Sequence, residues 1–220
     1  MNTIMIRPFA AVKLLTFAAL ALGGCRVSGI RGDGDIVTQN RPVQEFASVE
    51  AEGAFTIDWV QGPPSCTITT DENLQSRVET RMRGSKLELS WHGQLRPTRG
   101  VKVKISSSTL NAARLSGAVR LNATRISGKG FYLDAAGATR VNVDGMVGEL
   151  LATMAGASRL DAEDLQVKSA QLSISGAGKA EVWASDTLKV SISGAGKVTY
   201  RGNPSVERDI SGAGSVRKRD

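Results

Sequence analysis

A Gly-Ala pair recurs six times in the C-terminal half of this chain, at an interval that leaves few folds open. The copies read Ser116-Gly117-Ala118, Ala136-Gly137-Ala138, Ala155-Gly156-Ala157, Ser175-Gly176-Ala177, Ser193-Gly194-Ala195 and Ser211-Gly212-Ala213. Successive glycines lie 20, 19, 20, 18 and 18 residues apart. A near-constant period of this length marks a solenoid, in which each repeat is one coil stacked on the last.

Alignment on the glycine shows what each coil is made of. Two residues before it stand Leu115, Ala135, Met154, Ile174, Ile192 and Ile210, and one position earlier Arg114, Asp134, Thr153, Ser173, Ser191 and Asp209. Four residues after it stand Leu121, Val141, Leu160, Ala180, Val198 and Val216, followed by Asn122, Asn142, Asp161, Glu181, Thr199 and Arg217. Apolar and polar positions alternate, so both arms of a repeat are strands with one buried face. Glycine marks the corner because it tolerates positive φ and leaves room for the coils above and below. No helical periodicity separates the strands, so the helical crossover of an ordinary parallel sheet is missing. The expected fold is all-β: a right-handed, single-stranded parallel β-helix with about 18–20 residues per coil, the hand following the crossover rule. Ile174, Ile192 and Ile210 should stack as an aliphatic ladder.

The domain spans 36–216, with regular Gly-Ala repeats over 106–216 and less regular coils over 36–105. In that first part Gly53-Ala54 looks like a degenerate corner, and strand-like runs cover 66–70, 78–82, 86–91 and 101–105. Gly53 and Gly117 are 64 residues apart, which suggests about three further periods. Terminal coils must be capped, and Phe46, Phe55, Trp59 and Trp91 are candidates for the cap. A separate small β-domain over about 36–105 is the competing reading.

The start of the chain reads as an address. Arg7 and Lys13 precede the apolar run 14–22, which is too short for the roughly 20 residues of a membrane span. Residues 1–24 are therefore a signal peptide. Leu22-Gly23-Gly24-Cys25 has the form of a bacterial lipobox, with Cys25 as the lipidated residue; an ordinary signal peptide that happens to contain a cysteine is the alternative. Lipidation would anchor the protein to a membrane. Arg26, in place of an aspartate, favours the outer membrane, where the protein would sit as a lipoprotein on the periplasmic face or the cell surface. Residues 25–35, ending in Gly32-Asp33-Gly34-Asp35, read as the tether, and 217–220 as a basic tail. With Cys25 lipidated, Cys66 has no disulfide partner, and its strand-like surroundings favour burial.

Several of these segments resemble a known family. Residues 32–41, then Phe46-Ala47-Ser48-Val49, then Gly53-Ala54-Phe55, resemble the opening of the putative auto-transporter adhesin, head GIN domain family. The Ser-Gly-Ala-Gly corners resemble its C-terminal repeats, so the likeness covers roughly 33–216. It implies a secreted or lipid-anchored β-helical domain of the cell envelope and brings no catalytic residues. An autotransporter needs a C-terminal membrane barrel, and the sequence up to Asp220 holds no such segment, so self-translocation is not expected.

Three residues after each corner glycine stand Arg120, Arg140, Arg159, Lys179, Lys197 and Ser215. If the register holds, five cations form a ridge along the solenoid, and stacked like charges must be solvated, paired or used. A ridge of this kind suits a polyanion: a lipopolysaccharide, a lipid headgroup or an acidic glycan. Asp161 and Glu181 lie close enough in sequence to neutralise Arg159 and Lys179, which would make the ridge a solvated face only. Nucleic acid is not an expected partner, because the leader exports the protein and aromatics do not interleave with the basic positions.

Enzyme chemistry has little to stand on. His92 is the single histidine, so a histidine metal cluster is out of reach, and no Gly-x-Ser-x-Gly elbow is present. Asp134, Asp144, Asp161 and Asp164 fall at different repeat positions rather than as a carboxylate pair. Gly176-Ala177-Gly178-Lys179 lacks the spacing and following helix of a phosphate loop. No cofactor motif is found, and no residue pattern sets an oligomeric state. The expected function is an adhesin-like envelope binding module, with a structural or regulatory periplasmic lipoprotein as the alternative and a polysaccharide-acting enzyme a distant third.

Overall fold

A computed structural model describes residues 29–219, and the leader and Cys25 lie outside them. The chain is nearly all β and winds into a solenoid of about 5 turns. Long strands Arg120–Gly137, Arg140–Gly156, Arg159–Gly176 and Lys179–Gly194 each make one coil. Each pairs in parallel with the next. The alternation read from the sequence puts Leu121, Val141, Leu160, Ala180 and Val198 inside, all with 0% exposure. On the other arm Ile174 pairs with Ile192 and Ile192 with Ile210, so the aliphatic ladder forms.

Corner glycines stack directly: Gly53, Gly117, Gly137, Gly156, Gly176 and Gly194 are successive partners in the ladder. Gly117 shows why no other residue fits. Its φ is +100°, and a Cβ built there would lie 2.4 Å from the carbonyl oxygen of Gly53. Positive φ and a backbone directly beneath both exclude a side chain.

The coil length varies without disturbing this column. Arg120 pairs with Arg140, twenty residues on, but Ile126 pairs with Gly145, nineteen residues on. A shift in the opposite sense falls between Asn142 and Gly145, and one in the first sense between Ala162 and Gln166. Insertions and deletions are thus absorbed at a second bend, where Arg125 has φ +57°. Bulges of this kind add a residue while the flanking ladder continues.

The N-terminal half departs from the expected order. Gly53 is not three periods from Gly117 but its immediate neighbour in the stack. Ser48–Gly53 pairs with Ala112–Gly117, and Phe55–Gln61 with Arg120–Thr124. On its other side, the same coil pairs in parallel with Lys86–Trp91 and Val101–Ser107. The coil formed by 48–61 is therefore inserted between 86–107 and 112–137, out of sequence order. Spacing alone cannot reveal this, because 64 residues fit three coils as well as a long excursion and return.

The hydrophobic core runs on through this part without a break. Ile57, Ile68, Leu87 and Val103 belong to the same core as Leu160 and Ile192. This part also supplies the cap. Val78–Arg83 pairs antiparallel with Lys86–Trp91, and Ser65–Asp71 antiparallel with Val101–Ser107. Reversed strands end the parallel stack and leave Glu79, Arg81 and Arg83 on the outer strand, where charge discourages further pairing. Phe46, Phe55 and Trp59 are fully buried within this region. The Trp59 indole donates to Ser107 Oγ at 2.9 Å, and Trp91 packs on Phe55 with ring centroids 5.0 Å apart. Cys66 is buried as expected, and burial pushes its thiol up to about 11 against the opposing charge of Arg41.

Both terminal segments differ from the tether and tail expected of them. Ile30–Arg31 pairs with Leu95–Arg96. Asp71, with 0% exposure, accepts from the Gly34 amide (3.0 Å), the Thr98 amide (2.9 Å) and the Thr98 hydroxyl (2.6 Å). Burial raises its pKa, but these bonds outweigh burial and leave it lowered. Gly32 lies so close that a Cβ would fall 2.2 Å from the Asp71 carboxyl carbon, which accounts for glycine there. At the other end Ser215–Lys218 is a strand on Lys197–Arg201. Arg208 and Lys218 occupy the ladder positions of the inward-facing Val190 and Tyr200. Both are exposed, and charge at these positions of the last coil blunts an otherwise open edge.

Candidate functional site

The cation column is in register. Arg120, Arg140, Arg159, Lys179 and Lys197 are successive ladder partners, with Ser215 next above and Thr56 below Arg120. Parallel strands place them about 4.8 Å apart along the axis. Arg120, Arg140, Arg159 and Lys197 are exposed, and Lys179 is half-buried.

The neighbouring column decides which charges are compensated. Asp58, Asn122, Asn142, Asp161, Glu181 and Thr199 stack two residues along each coil. Glu181 accepts from Lys179 and lies 3.6 Å from both Arg159 and Arg219. Its hydrogen bond to Lys179, helped by the charges of Lys179, Arg159 and Arg219 and opposed by burial, lowers its pKa. In the lower coils the column is amide: Asn142 Nδ2 donates to Asn122 Oδ1 (2.8 Å), and Asn122 Nδ2 to Asp58 Oδ1 (2.7 Å). Among the described residues Arg120, Arg140 and Lys197 make no ion pair. Uncompensated positive charge thus sits at Arg120, Arg140 and Lys197, while Arg159 and Lys179 share Glu181.

Beside the column runs a groove of about 290 Å³, lined by Ala118, Ala138 and Ala157 of the corners and by Arg120, Arg140 and Arg159. Thr139, 2% exposed, also lines it, and its hydroxyl has no hydrogen-bond partner among the described residues. Corner amides are already used: Ala138 N–H donates to Gly117, Ala157 to Gly137 and Ala177 to Gly156, at 2.8–2.9 Å. An anion here must be held by side chains, and Gly176-Ala177-Gly178-Lys179 is a corner rather than a phosphate loop.

Carboxylates gather more closely than their repeat positions suggested. Asp144, Asp161, Glu163 and Asp164 line one groove of about 310 Å³. Oxygens of Asp161, Glu163 and Glu181 lie within 4.8 Å of one another. Cations already answer them: Arg201 lies 3.3 Å and Arg219 3.1 Å from Glu163. The Arg125 amide donates to Asp144 at 2.6 Å. Asp134 lies elsewhere, paired with Arg114 at 3.2 Å. His92 is exposed and contacts Glu79 at 3.1 Å. The candidate lipidation residue Cys25 lies outside the described residues. No helix among the described residues is long and apolar enough to cross a membrane.

No curated protein matches the chain. Several solved structures share its fold. A putative adhesin from Bacteroides fragilis NCTC 9343 is 18% identical with a TM-score of 0.73, covering 87% of this chain and 100% of its own. A putative lipid binding protein from Parabacteroides distasonis ATCC 8503 is 22% identical, with a TM-score of 0.54 over 88% of this chain and 100% of its own. A putative adhesin from Parabacteroides merdae ATCC 43184 is 20% identical, with a TM-score of 0.54 over 87% of this chain and 99% of its own. These proteins are described as adhesins or binding proteins, not as enzymes. Residues 45–204, most of the solenoid, match the family described as "Putative auto-transporter adhesin, head GIN domain", and the chain belongs to that family.

Proposed function

We propose that the protein is a lipid-anchored, adhesin-like module of the bacterial outer membrane that grips phosphate-bearing envelope glycolipid, of the lipopolysaccharide type, along its cation column. The carrying observation is the in-register stack of Arg120, Arg140, Arg159, Lys179 and Lys197, whose outer members lack counter-charges among the described residues. Self-repulsion along such a column is relieved by a ligand with repeated negative charge. Arginine suits phosphate because its planar fork binds two oxygens at once. The lipid-binding description of the Parabacteroides distasonis relative fits the same chemistry. Cys25 supplies the anchor that holds the column near the membrane.

Two experiments test this reading. Mature protein should co-sediment with vesicles of phosphorylated lipopolysaccharide and lose this after enzymatic dephosphorylation of the lipid. Equal sedimentation with both would remove phosphate from the account. Cys25→Ala should release the protein from the membrane fraction of lysed cells. Retention of that variant would contradict the anchor.

A further inference from the structure

On the other arm of the coil, across the Gly-Ala corner, lies a larger hollow of about 520 Å³. It is lined by the outer faces of five strands: Lys86, Ser48 and Glu50, Ala112 and Arg114, Tyr132 and Asp134, and Leu151 and Thr153. Five strands at parallel spacing extend about 19 Å along the axis. The hollow exists because Ala112 is small where its ladder neighbour above, Tyr132, is large. Tyr132 is 46% exposed, one of few large apolar side chains left on the surface. Its ring folds toward Gly130, where a Cβ would meet the hydroxyl at 3.4 Å and Cζ at 3.5 Å. Glycine there gives the ring a place against the backbone.

Charges around the hollow cancel. Lys86 Nζ lies 2.5 Å from Glu50, and Arg114 Nε 3.2 Å from Asp134. Glu88 also lies 3.0 Å from Lys86 and pairs with Arg83 at 3.1 Å, so three cations and three anions leave no net charge, in contrast to the column on the other arm. The Lys86–Glu50 and Arg114–Asp134 pairs are partly exposed and retain donors and acceptors that face outward. Thr153 adds a hydroxyl. An aromatic ring flanked on one side by a row of carboxylates and cations suits a molecule with one apolar face and an equatorial rim of hydroxyls. A hexopyranose has this form: its C–H face packs on the ring, and its hydroxyls bridge the carboxylate and the cation. The volume is within the range of small-ligand sites. Balanced charge disfavours the polyanion proposed for the cation column.

We propose that the hollow around Tyr132, Arg114, Asp134, Glu50 and Lys86 is a binding site for a neutral hexopyranose chain. It is independent of the cation column, so the protein presents two surfaces of different chemistry. Saturation-transfer NMR on the mature protein would test this with millimolar maltose, cellobiose, lactose and chitobiose as probes. At least one disaccharide should receive saturation, strongest at its ring protons. Tyr132→Ala should weaken that binding at least about tenfold, as should Asp134→Asn combined with Glu50→Gln. Arg120→Ala/Arg140→Ala should leave it unchanged, which separates this site from the column. Tyr132 is half exposed, so its variant should unfold at the wild-type temperature. Absence of transfer to all four sugars, or transfer that survives Tyr132→Ala, overturns the proposal.

Discussion

Replacing Gly117 with alanine tests whether direct backbone stacking at the corner holds the solenoid together. Gly117 has φ +100°, and the added methyl would sit 2.4 Å from the Gly53 carbonyl oxygen. The conformation costs a side-chain-bearing residue about 1–2 kcal/mol. Relieving the contact requires the two coils to part locally, an overpacking strain of about 1–3 kcal/mol. Alanine stiffens the unfolded chain, which returns about 0.4–1 kcal/mol. The net loss is about 1–5 kcal/mol, centred near 3. For a domain of this size about 3 kcal/mol corresponds to a fall in Tm of about 6–12 °C. Gly84 is the matched control: its φ is +57°, and nothing lies within 4 Å of the added methyl. Gly84→Ala keeps the conformational cost but not the clash, so it should lose only about 0–1.6 kcal/mol. Thermal and urea unfolding followed by circular dichroism would measure both. Equal losses, or a Gly117→Ala loss below about 1 kcal/mol, would refute the stacking argument.

Three further outcomes follow from the described contacts. With its thiol held at about 11 by burial, Cys66 in a Cys25→Ala background should react with iodoacetamide at pH 8 at least ~100-fold more slowly folded than in urea; equal rates would show an open end coil. Glu181 has a lowered pKa, so its contribution is present above its unfolded value of 4.5 and is lost as pH falls through the folded value. The Tm gap between wild type and Glu181→Gln should therefore be widest near neutrality and close well below 4.5, and a constant gap would deny the Lys179 bond its role. Asp71→Ala removes the acceptor that holds Gly34 and Thr98, so limited proteolysis should open the chain near residues 30–35 while the core resists, and an unchanged digest would show that strand pairing to Leu95–Arg96 is enough.

How much was legible in the sequence depends on whether a feature is local. The corner glycines, the alternation around them and the register of Arg120 to Lys197 repeat every coil, so one alignment exposes them all. The placement of Ser48–Gln61 between later coils is a long-range pairing with no periodic trace, and only Gly53-Ala54 hinted at it. The terminal segments misled for a similar reason. Gly32-Asp33-Gly34-Asp35 has the composition of a tether, but its structure is set by Asp71, far along the chain. The neutralisation of Arg159 and Lys179 by Glu181 was foreseeable from spacing, whereas the part of Arg219 required knowing that 215–218 is a strand. The Tyr132 hollow escaped notice because it depends on Ala112, Lys86 and Glu50 from three different strands.

The claim that the uncompensated cations form the binding surface is tested most directly by salt-dependent affinity. Binding of mature protein to phosphorylated lipopolysaccharide vesicles would be followed from low to physiological ionic strength, where screening shortens to about 8 Å. Wild-type affinity should fall steeply across that range. Arg120→Ala/Arg140→Ala/Lys197→Ala should bind weakly with a shallow dependence, and Arg159→Ala/Lys179→Ala should lose less, since Glu181 already offsets part of their charge. Affinity that ignores salt, or that survives the triple substitution, would contradict the account.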